Sequence, residues 1–166
     1  MAFLAALMAL CAWIAVPLGP VPFTMQSFGF FVALGLLGGR QGTAAYLVYM
    51  GLGLIGLPVF ASFSSGPGAL FGPTGGYLLG FLLGALAYWA ITARLGSRAL
   101  VPALLAALLL NYAAGTLWFA LVYTGSGAST LAEALALCVA PYVLPDLIKL
   151  ALAVLTIKRI RPHLGR

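Results

Sequence analysis

Long apolar stretches dominate this chain, and short segments of Gly, Pro, Ser and basic residues separate them. The stretches are continuously apolar, as in spanning helices of about 17–25 residues, and lack the alternation of a membrane β-barrel. The pattern therefore predicts a bundle of six spanning helices, at residues 1–16, 24–38, 43–57, 77–93, 99–123 and 131–157. Pro141 and Pro145 are expected to interrupt the last of these spans.

Two connecting segments have distinctive compositions. Residues 17–23 contain three prolines, which break a helix, so they are expected to connect two spans at one membrane face. Residues 58–76 are rich in Gly, Pro and Ser but also carry large apolar side chains, namely Phe60, Phe63, Leu70 and Phe71. Because flexible linkers seldom carry such side chains, we expect an ordered loop that folds back onto the protein, as many lids do.

Composition indicates an all-α integral membrane protein. Hydrophobic residues make up 64% of the 166 residues and charged residues only 6%, against about 25% charged in a soluble domain. This length has room for one domain, so residues 1–166 are expected to form a single transmembrane unit. Cys11 and Cys138 lie in separate apolar stretches without metal-ligand spacing, and we predict that they are core residues.

The basic residues predict the topology. All except Lys149 lie between or after the apolar stretches: Arg40, Arg94, Arg98, Lys158, Arg159, Arg161 and Arg166. With six spans and a cytoplasmic N-terminus, all of them fall on the cytoplasmic side and the outer segments carry none. The net charge of +6 therefore indicates membrane orientation and not a nucleic-acid surface. Both termini are predicted to be cytoplasmic and the 58–76 loop extracellular.

The segment at residues 141–150 carries the candidate chemistry. It contains Asp146, one of only two acids, and Lys149 three residues later, so both side chains lie on the same helix face. A charge at membrane depth costs at least about 2.5–3.5 kcal/mol, and normally faces a partner or a cavity. Two interpretations are open at this point: the pair only holds helices together, or it forms a polar ligand site.

Enzymatic chemistry is disfavoured. General acid–base and metal catalysis need clustered His, Asp, Glu or Cys, but the chain has a single His, His163. Its second acid, Glu133, is predicted to be a helix-start or interfacial charge. We predict no catalytic residue, metal ligand or cofactor. A small channel or a membrane scaffold subunit is a remaining alternative, although the polar residues are isolated and form no continuous stripe.

Four segments resemble the substrate-binding S components of energy-coupling-factor vitamin transporters, specifically the BioY biotin family. They are PVPFTMQSF at 20–28, GGRQGTAAYLVYMGLGLIGLPVF at 38–60, GPTGGYLLGF at 72–81 and PYVLPDLIKL at 141–150. They occur in the family's order and spacing, over nearly the whole chain. The resemblance implies a six-helix protein of a prokaryotic cytoplasmic membrane that captures biotin from outside. A different vitamin or small heterocycle is the alternative cargo.

The resemblance also implies partners besides the lipid bilayer: a transmembrane coupling protein and two cytosolic ATP-binding cassette ATPases. The chain has no Walker motif, which agrees with ATP hydrolysis by the partners. Such S components present small residues at helical spacing to the coupling protein, and the candidates in the first span are Ala2, Ala5, Ala6 and Ala9. Packing within the chain is the alternative role for these alanines.

The chemistry of biotin suits a site around Asp146 and Lys149. Asp146 can accept from the two ureido N–H groups, and Lys149 can donate to the ureido carbonyl or to the carboxylate of the tail. The other polar candidates are Thr74, Tyr77, Gln26 and the amides of Gly72, Gly75 and Gly76. The candidates for packing on the apolar ring are Phe60, Phe71 and Trp118. Asn111 is expected first to make an interhelical hydrogen bond.

Overall fold

The computed structural model of the protein describes residues 1–17, 21–122 and 130–164, and most of them are helical. The helices are α1 (Ala2–Trp13), α2 (Gln26–Leu37), α3 (Gly39–Leu54), α4 (Gly68–Phe71), α5 (Gly75–Leu95), α6 (Leu100–Val122), α7 (Leu131–Cys138) and α8 (Ala140–Ile160). Two short strands, β1 (Ala15–Val16) and β2 (Phe23–Thr24), form an antiparallel pair. Single 3₁₀ turns occupy Ala61–Phe63, Gly96–Ala99 and Arg161–Leu164.

Within the described residues, three helical segments are long and apolar enough to cross a membrane: Gly75–Leu95, Leu100–Val122 and Ala140–His163. Helices α1 and α2 are also apolar but shorter. Large apolar side chains such as Phe3, Leu109 and Leu144 cover the outside of the bundle. An apolar outer surface of this extent suits lipid and not water, so the chain is a multi-pass membrane protein.

Glycines allow the tightest helix contact, between α5 and α6. Gly76, Gly80 and Gly84 follow one another at intervals of four residues, and all three face α6. A Cβ on Gly80 would lie 2.9 Å from the Cα of Asn111, so any larger residue would separate the two helices. Helix α2 packs against α1, α3 and α8, and its Phe30, Phe31 and Leu34 are fully buried.

Two helix boundaries differ from the expected ones. Helix α3 already begins at Gly39, because Gly38 adopts φ of 81° and changes the chain direction in one residue. The last span is interrupted at Val139, which separates α7 from α8, whereas Pro145 lies inside a continuous α8. Pro141 falls in the first turn of α8, where its missing N–H needs no helical partner.

The connecting segments contain more regular structure than their composition suggests. Strands β1 and β2 pair Ala15 with Thr24 and Val16 with Phe23, on either side of the proline-rich connector. In the 58–76 segment, the ring of Phe60 is buried and Phe63 stacks on Trp13 with ring centroids 5.0 Å apart. Phe71 is 70% exposed, so this segment contributes Phe60 to the interior but not Phe71.

Candidate functional site

A cavity of about 80 Å³ lies at one end of the bundle, surrounded by β2, α2, α5, α6, α7 and α8 and closed on one side by Phe60 and Ala61. Its wall combines aromatic and aliphatic side chains with several polar groups. The polar and charged residues in its lining are Thr24, Gln26, Ser27, Thr74, Tyr77, Asn111, Tyr112, Tyr142, Asp146 and Lys149. An apolar cavity with a few convergent polar groups is the usual form of a small-molecule site.

Asp146 lies in the second turn of α8 and is 7% exposed. Its Oδ1 accepts a hydrogen bond from the Ser27 hydroxyl of α2 at 3.0 Å, and its Oδ2 accepts one from the Tyr112 hydroxyl of α6 at 2.6 Å. Oδ1 also lies 2.8 Å from the Lys149 ammonium. A carboxylate has about four lone-pair sites, so these three donors leave it with capacity for one more.

Lys149 lies one turn further along α8 and is 4% exposed. Like the Asp146 carboxylate, its ammonium has several partners. Its Nζ donates to the backbone carbonyl of Thr24 at 2.5 Å and to Asp146 Oδ1 at 2.8 Å. The same ammonium lies 3.7 Å from the ring centroid of Phe23, in a cation–π contact. The pair therefore joins α8 to α2, α6 and β2 while remaining in the cavity wall, so both roles considered from the sequence are geometrically compatible.

Tyrosines and one amide fix the walls on either side of this pair. The Tyr142 hydroxyl donates to the Val21 carbonyl at 2.6 Å, and the Tyr142 ring stacks on that of Phe23. The Tyr77 hydroxyl donates to the Cys138 carbonyl at 3.2 Å, at the break between α7 and α8. Asn111 donates to the Tyr77 carbonyl at 2.8 Å, which is the interhelical role expected for it.

A second group of contacts links the cavity to the 58–76 segment. Gln26 Nε2 donates to the Tyr49 hydroxyl at 3.0 Å, and that hydroxyl donates to the Val59 carbonyl at 3.0 Å. The next residue, Phe60, packs edge-on against the Tyr49 ring. Gln26 and Tyr49 thus hold in place the backbone that positions Phe60 over the cavity.

Six of the predicted substrate-binding residues lie in the cavity wall: Gln26, Phe60, Thr74, Tyr77, Asp146 and Lys149. The structure does not bring Gly72, Gly75 and Trp118 into that wall. Trp118 Nε1 donates to the Gly72 carbonyl at 3.1 Å, and Gly75 lies against the Leu70 carbonyl. Gly76 packs under Trp118. These residues instead attach the end of the 58–76 segment to α5 and α6.

Sequence reasoning missed Ser27, Tyr112 and Tyr142 as site residues. Tyr142 was detectable, because positions 142, 146 and 149 share one face of a helix. Ser27 and Tyr112 carried no comparable signal, since each is a neutral polar residue in a mainly apolar stretch. Their proximity to Asp146 depends on how α2, α6 and α8 pack together.

The four alanines of α1 divide between two faces. Ala5 and Ala9 are buried inside the bundle, where α1 packs against α2 and α3, while Ala2 and Ala6 are exposed. The buried pair is therefore used for packing within the chain, which was the alternative interpretation of this spacing. Only Ala2 and Ala6 are accessible to a partner in this structure. Glu133 forms a capping box with Thr130 at the start of α7, as expected for a helix-start charge.

The fold and the site together define a helical membrane protein whose mainly apolar cavity, with a few convergent polar groups, is of the kind that holds a small molecule. The model of the BioY family matches residues 1–166, and the chain belongs to this family. The resemblance seen in the four sequence segments is thus confirmed.

Individual relatives agree with this assignment. The biotin transporter BioY of Thermotoga maritima is 42% identical over 157 residues, which cover 94% of this chain and 90% of that protein. The probable biotin transporter BioY of Pyrococcus horikoshii is 37% identical over 160 residues, covering 96% and 93%. The structure is also similar to a crystal structure described as the S-component for biotin from an ECF-type ABC transporter. That match has a TM-score of 0.87 and 26% identity, and covers 97% of this chain and 88% of the other.

Proposed function

We propose that this chain captures biotin and serves its uptake across the cytoplasmic membrane of a prokaryote, as the S component of an energy-coupling-factor transporter. Family membership and the names of the relatives support the cargo. The structural observation that carries the proposal is the buried Asp146–Lys149 pair in the cavity wall. A fully apolar pair of residues would hold the helices together at least as well, so a charged pair in a cavity suggests that a polar ligand is recognised.

The ligand's ureido ring binds at the Asp146 end of the cavity. The remaining lone-pair site of the carboxylate accepts a ureido N–H, and the Lys149 ammonium donates to the ureido carbonyl. Both are charge-assisted hydrogen bonds, roughly twice as strong as neutral ones. Because the site is buried, a ligand without the matching groups would leave these charges without their additional partners and would bind far more weakly.

The rest of the cavity accommodates the apolar ring and the tail. Phe60, Leu78 and Phe81 form an apolar wall against which the thiophane ring packs. Gln26, Thr74 and Tyr77 supply neutral polar groups for the carboxylate of the tail. In the alternative orientation of the ligand, Lys149 binds this carboxylate and not the ureido carbonyl.

Six helices, α1, α2, α3, α5, α6 and α8, cross the membrane in this proposal, with both termini in the cytoplasm. The positive-inside rule supports this orientation. The basic residues between spans lie near the start of α3 and the end of α5, away from the cavity, and more follow at the end of α8. The 58–76 segment then faces outward and covers the route by which biotin enters.

A transmembrane coupling protein and two cytosolic ATPases complete the transporter in this proposal, and ATP is hydrolysed by those ATPases. The exposed alanines Ala2 and Ala6 form the part of α1 that contacts the coupling protein. Small residues suit such a contact, since they let two helices approach closely in lipid.

Equilibrium binding of biotin to the purified protein in detergent tests the proposed cargo. We expect tight binding by the unaltered protein and a loss of more than about tenfold in Asp146→Asn and in Lys149→Ala, since each loses a charge-assisted contact. Glu133→Gln is the matched control, because it makes a similar change outside the cavity and Gln retains the capping role. Its affinity should equal that of the unaltered protein.

Two competitors show which part of the ligand the site recognises. Desthiobiotin keeps the ureido ring but lacks the sulfur, so it should compete well. Biotin methyl ester lacks the negative charge of the tail. Strong competition by the ester would show that this charge is not recognised and would leave the ureido carbonyl as the partner of Lys149. A preference for biotin over the ester that disappears in Lys149→Ala would assign Lys149 to the carboxylate. Absence of biotin binding in a folded preparation would refute the cargo and favour another heterocycle, or a channel or scaffold role.

A further inference from the structure

A second cavity, of about 290 Å³, lies at the other end of the bundle. It is lined by the start of α3, the last turns of α5 and the residue that follows α8, Arg161. Arg161 is 15 residues beyond Asp146 along nearly continuous helix, which corresponds to about 22 Å. This cavity is therefore separate from the candidate biotin site.

Two arginines, Arg40 and Arg161, line this second cavity. The chain has only two acids, and the structure places both elsewhere: Asp146 pairs with Lys149, and Glu133 caps α7. Neither arginine forms an ion pair within the described residues. Two unpaired cations in one cavity favour an anionic ligand from outside the chain.

Two further features of the cavity suit an anion. Tyr88 lines the cavity, and its hydroxyl forms no hydrogen bond with residues 1–17, 21–122 and 130–164. This hydroxyl is therefore available to donate a hydrogen bond to a ligand in the cavity. In addition, α3 begins at Gly39 in the cavity wall, so the positive end of a 16-residue helix is directed at the same place.

The surroundings of the cavity indicate where the anion comes from. Trp89 lines the cavity and is 40% exposed on the outside of α5, one turn from the exposed apolar side chain of Leu86. Tryptophan is enriched where a membrane meets water, and basic pockets between helices at the cytoplasmic face bind anionic headgroups. We propose that this cavity binds the phosphate of an anionic phospholipid, held by Arg40, Arg161 and the Tyr88 hydroxyl.

The test is lipid binding to the purified full chain in detergent, measured by native mass spectrometry. Phosphatidylglycerol and phosphatidylcholine with identical acyl chains are titrated in parallel, and inorganic phosphate is added as a competitor. We expect one phosphatidylglycerol per chain, bound more tightly than phosphatidylcholine and not displaced by inorganic phosphate. Arg40→Gln and Arg161→Gln should each weaken its binding by about tenfold, the loss of one charge-assisted contact.

Matched variants distinguish a specific lipid site from nonspecific attraction of anionic lipid to a positive surface. Arg94→Gln removes the same charge from the end of α5 but does not line the cavity, so it should leave phosphatidylglycerol binding unchanged. Tyr88→Phe should weaken that binding by a smaller factor than either cavity arginine. Equal binding of the two lipids, or an equal loss in Arg94→Gln and Arg40→Gln, would overturn the proposal. Displacement of phosphatidylglycerol by inorganic phosphate would refute a lipid ligand and assign the cavity to free phosphate.

Discussion

The hydroxyl of Tyr112 in α6 donates a hydrogen bond of 2.6 Å to Oδ2 of Asp146 in α8. Helices α6 and α8 have few contacts with each other, so this bond is a principal link between them. It occupies one carboxylate oxygen while Ser27 and Lys149 occupy the other. Tyr112 therefore sets the direction in which the carboxylate presents its remaining lone pair to a ligand.

Replacing Tyr112 by Phe removes this donor and keeps the ring. A hydrogen bond to a charged group contributes about 1.5–3 kcal/mol, so we expect a lower unfolding midpoint. Biotin affinity should fall by a smaller factor than in Asp146→Asn, because the carboxylate persists but is less well oriented. Thermal unfolding and equilibrium binding in detergent measure the two effects. If both remain at the level of the unaltered protein, Tyr112 has no positioning role.

A double variant separates the structural role of the ion pair from its ligand role. Asp146→Asn or Lys149→Met alone leaves an unpaired buried charge, a loss of about 3–5 kcal/mol of stability. Asp146→Asn combined with Lys149→Met removes both charges. The Asn oxygen can accept from one of the two hydroxyls, Ser27 or Tyr112, and its NH2 group can donate to the other. We expect the double variant to be more stable than Lys149→Met but still defective in biotin binding. If the double variant regained both stability and biotin affinity, the ion pair would serve only to hold the helices together.

The charged part of the site was predictable from sequence because Asp146 and Lys149 are the only ionisable pair inside an apolar stretch. The helices were predictable for a similar reason, since continuous apolar stretches have few alternatives in lipid. Ser27 and Tyr112 were not predictable, because they reach Asp146 from 119 and 34 residues away in the chain. Such contacts depend on helix packing, which local hydrophobic pattern does not encode.

The alanines of α1 show the same limit of local pattern. Spacing alone marks two pairs, Ala2 with Ala6 and Ala5 with Ala9, as sites of close helix approach. It does not say which pair faces the interior. Ala5 and Ala9 are the buried pair. Substitutions in the two pairs are therefore expected to have different effects.

Ala5→Leu and Ala6→Leu are a matched pair of substitutions on adjacent residues. At the buried Ala5, three added carbons overpack the contact of α1 with its neighbours and should cost about 1–3 kcal/mol of stability. At the exposed Ala6, stability should not change, but recovery of the coupling protein should fall when the two are expressed together. Co-purification and thermal unfolding distinguish the cases. If the coupling protein is fully recovered with Ala6→Leu, the exposed face of α1 does not contact it.

Gly53 and Gly51, two residues apart in α3, provide a test of how the 58–76 segment closes the cavity. A Cβ on Gly53 would overlap the ring of Phe60, whereas a Cβ on Gly51 meets nothing within 4 Å. The Gly53 carbonyl also accepts a hydrogen bond from the Gly66 amide at 2.7 Å, so this residue contacts the segment at two points. Since the ring is the part that can yield, Gly53→Ala should displace Phe60 from the cavity wall.

The expected results of the two substitutions have opposite signs. Gly53→Ala should lose about 1–3 kcal/mol of stability through overpacking and should release biotin faster, because the segment over the cavity is no longer held down. Gly51→Ala should gain about 0.5–1 kcal/mol, since Ala is favoured over Gly inside a helix, with the biotin dissociation rate unchanged. Dissociation rates of labelled biotin and thermal unfolding measure both. Equal dissociation rates in the two variants would mean that Phe60 does not restrain the bound ligand.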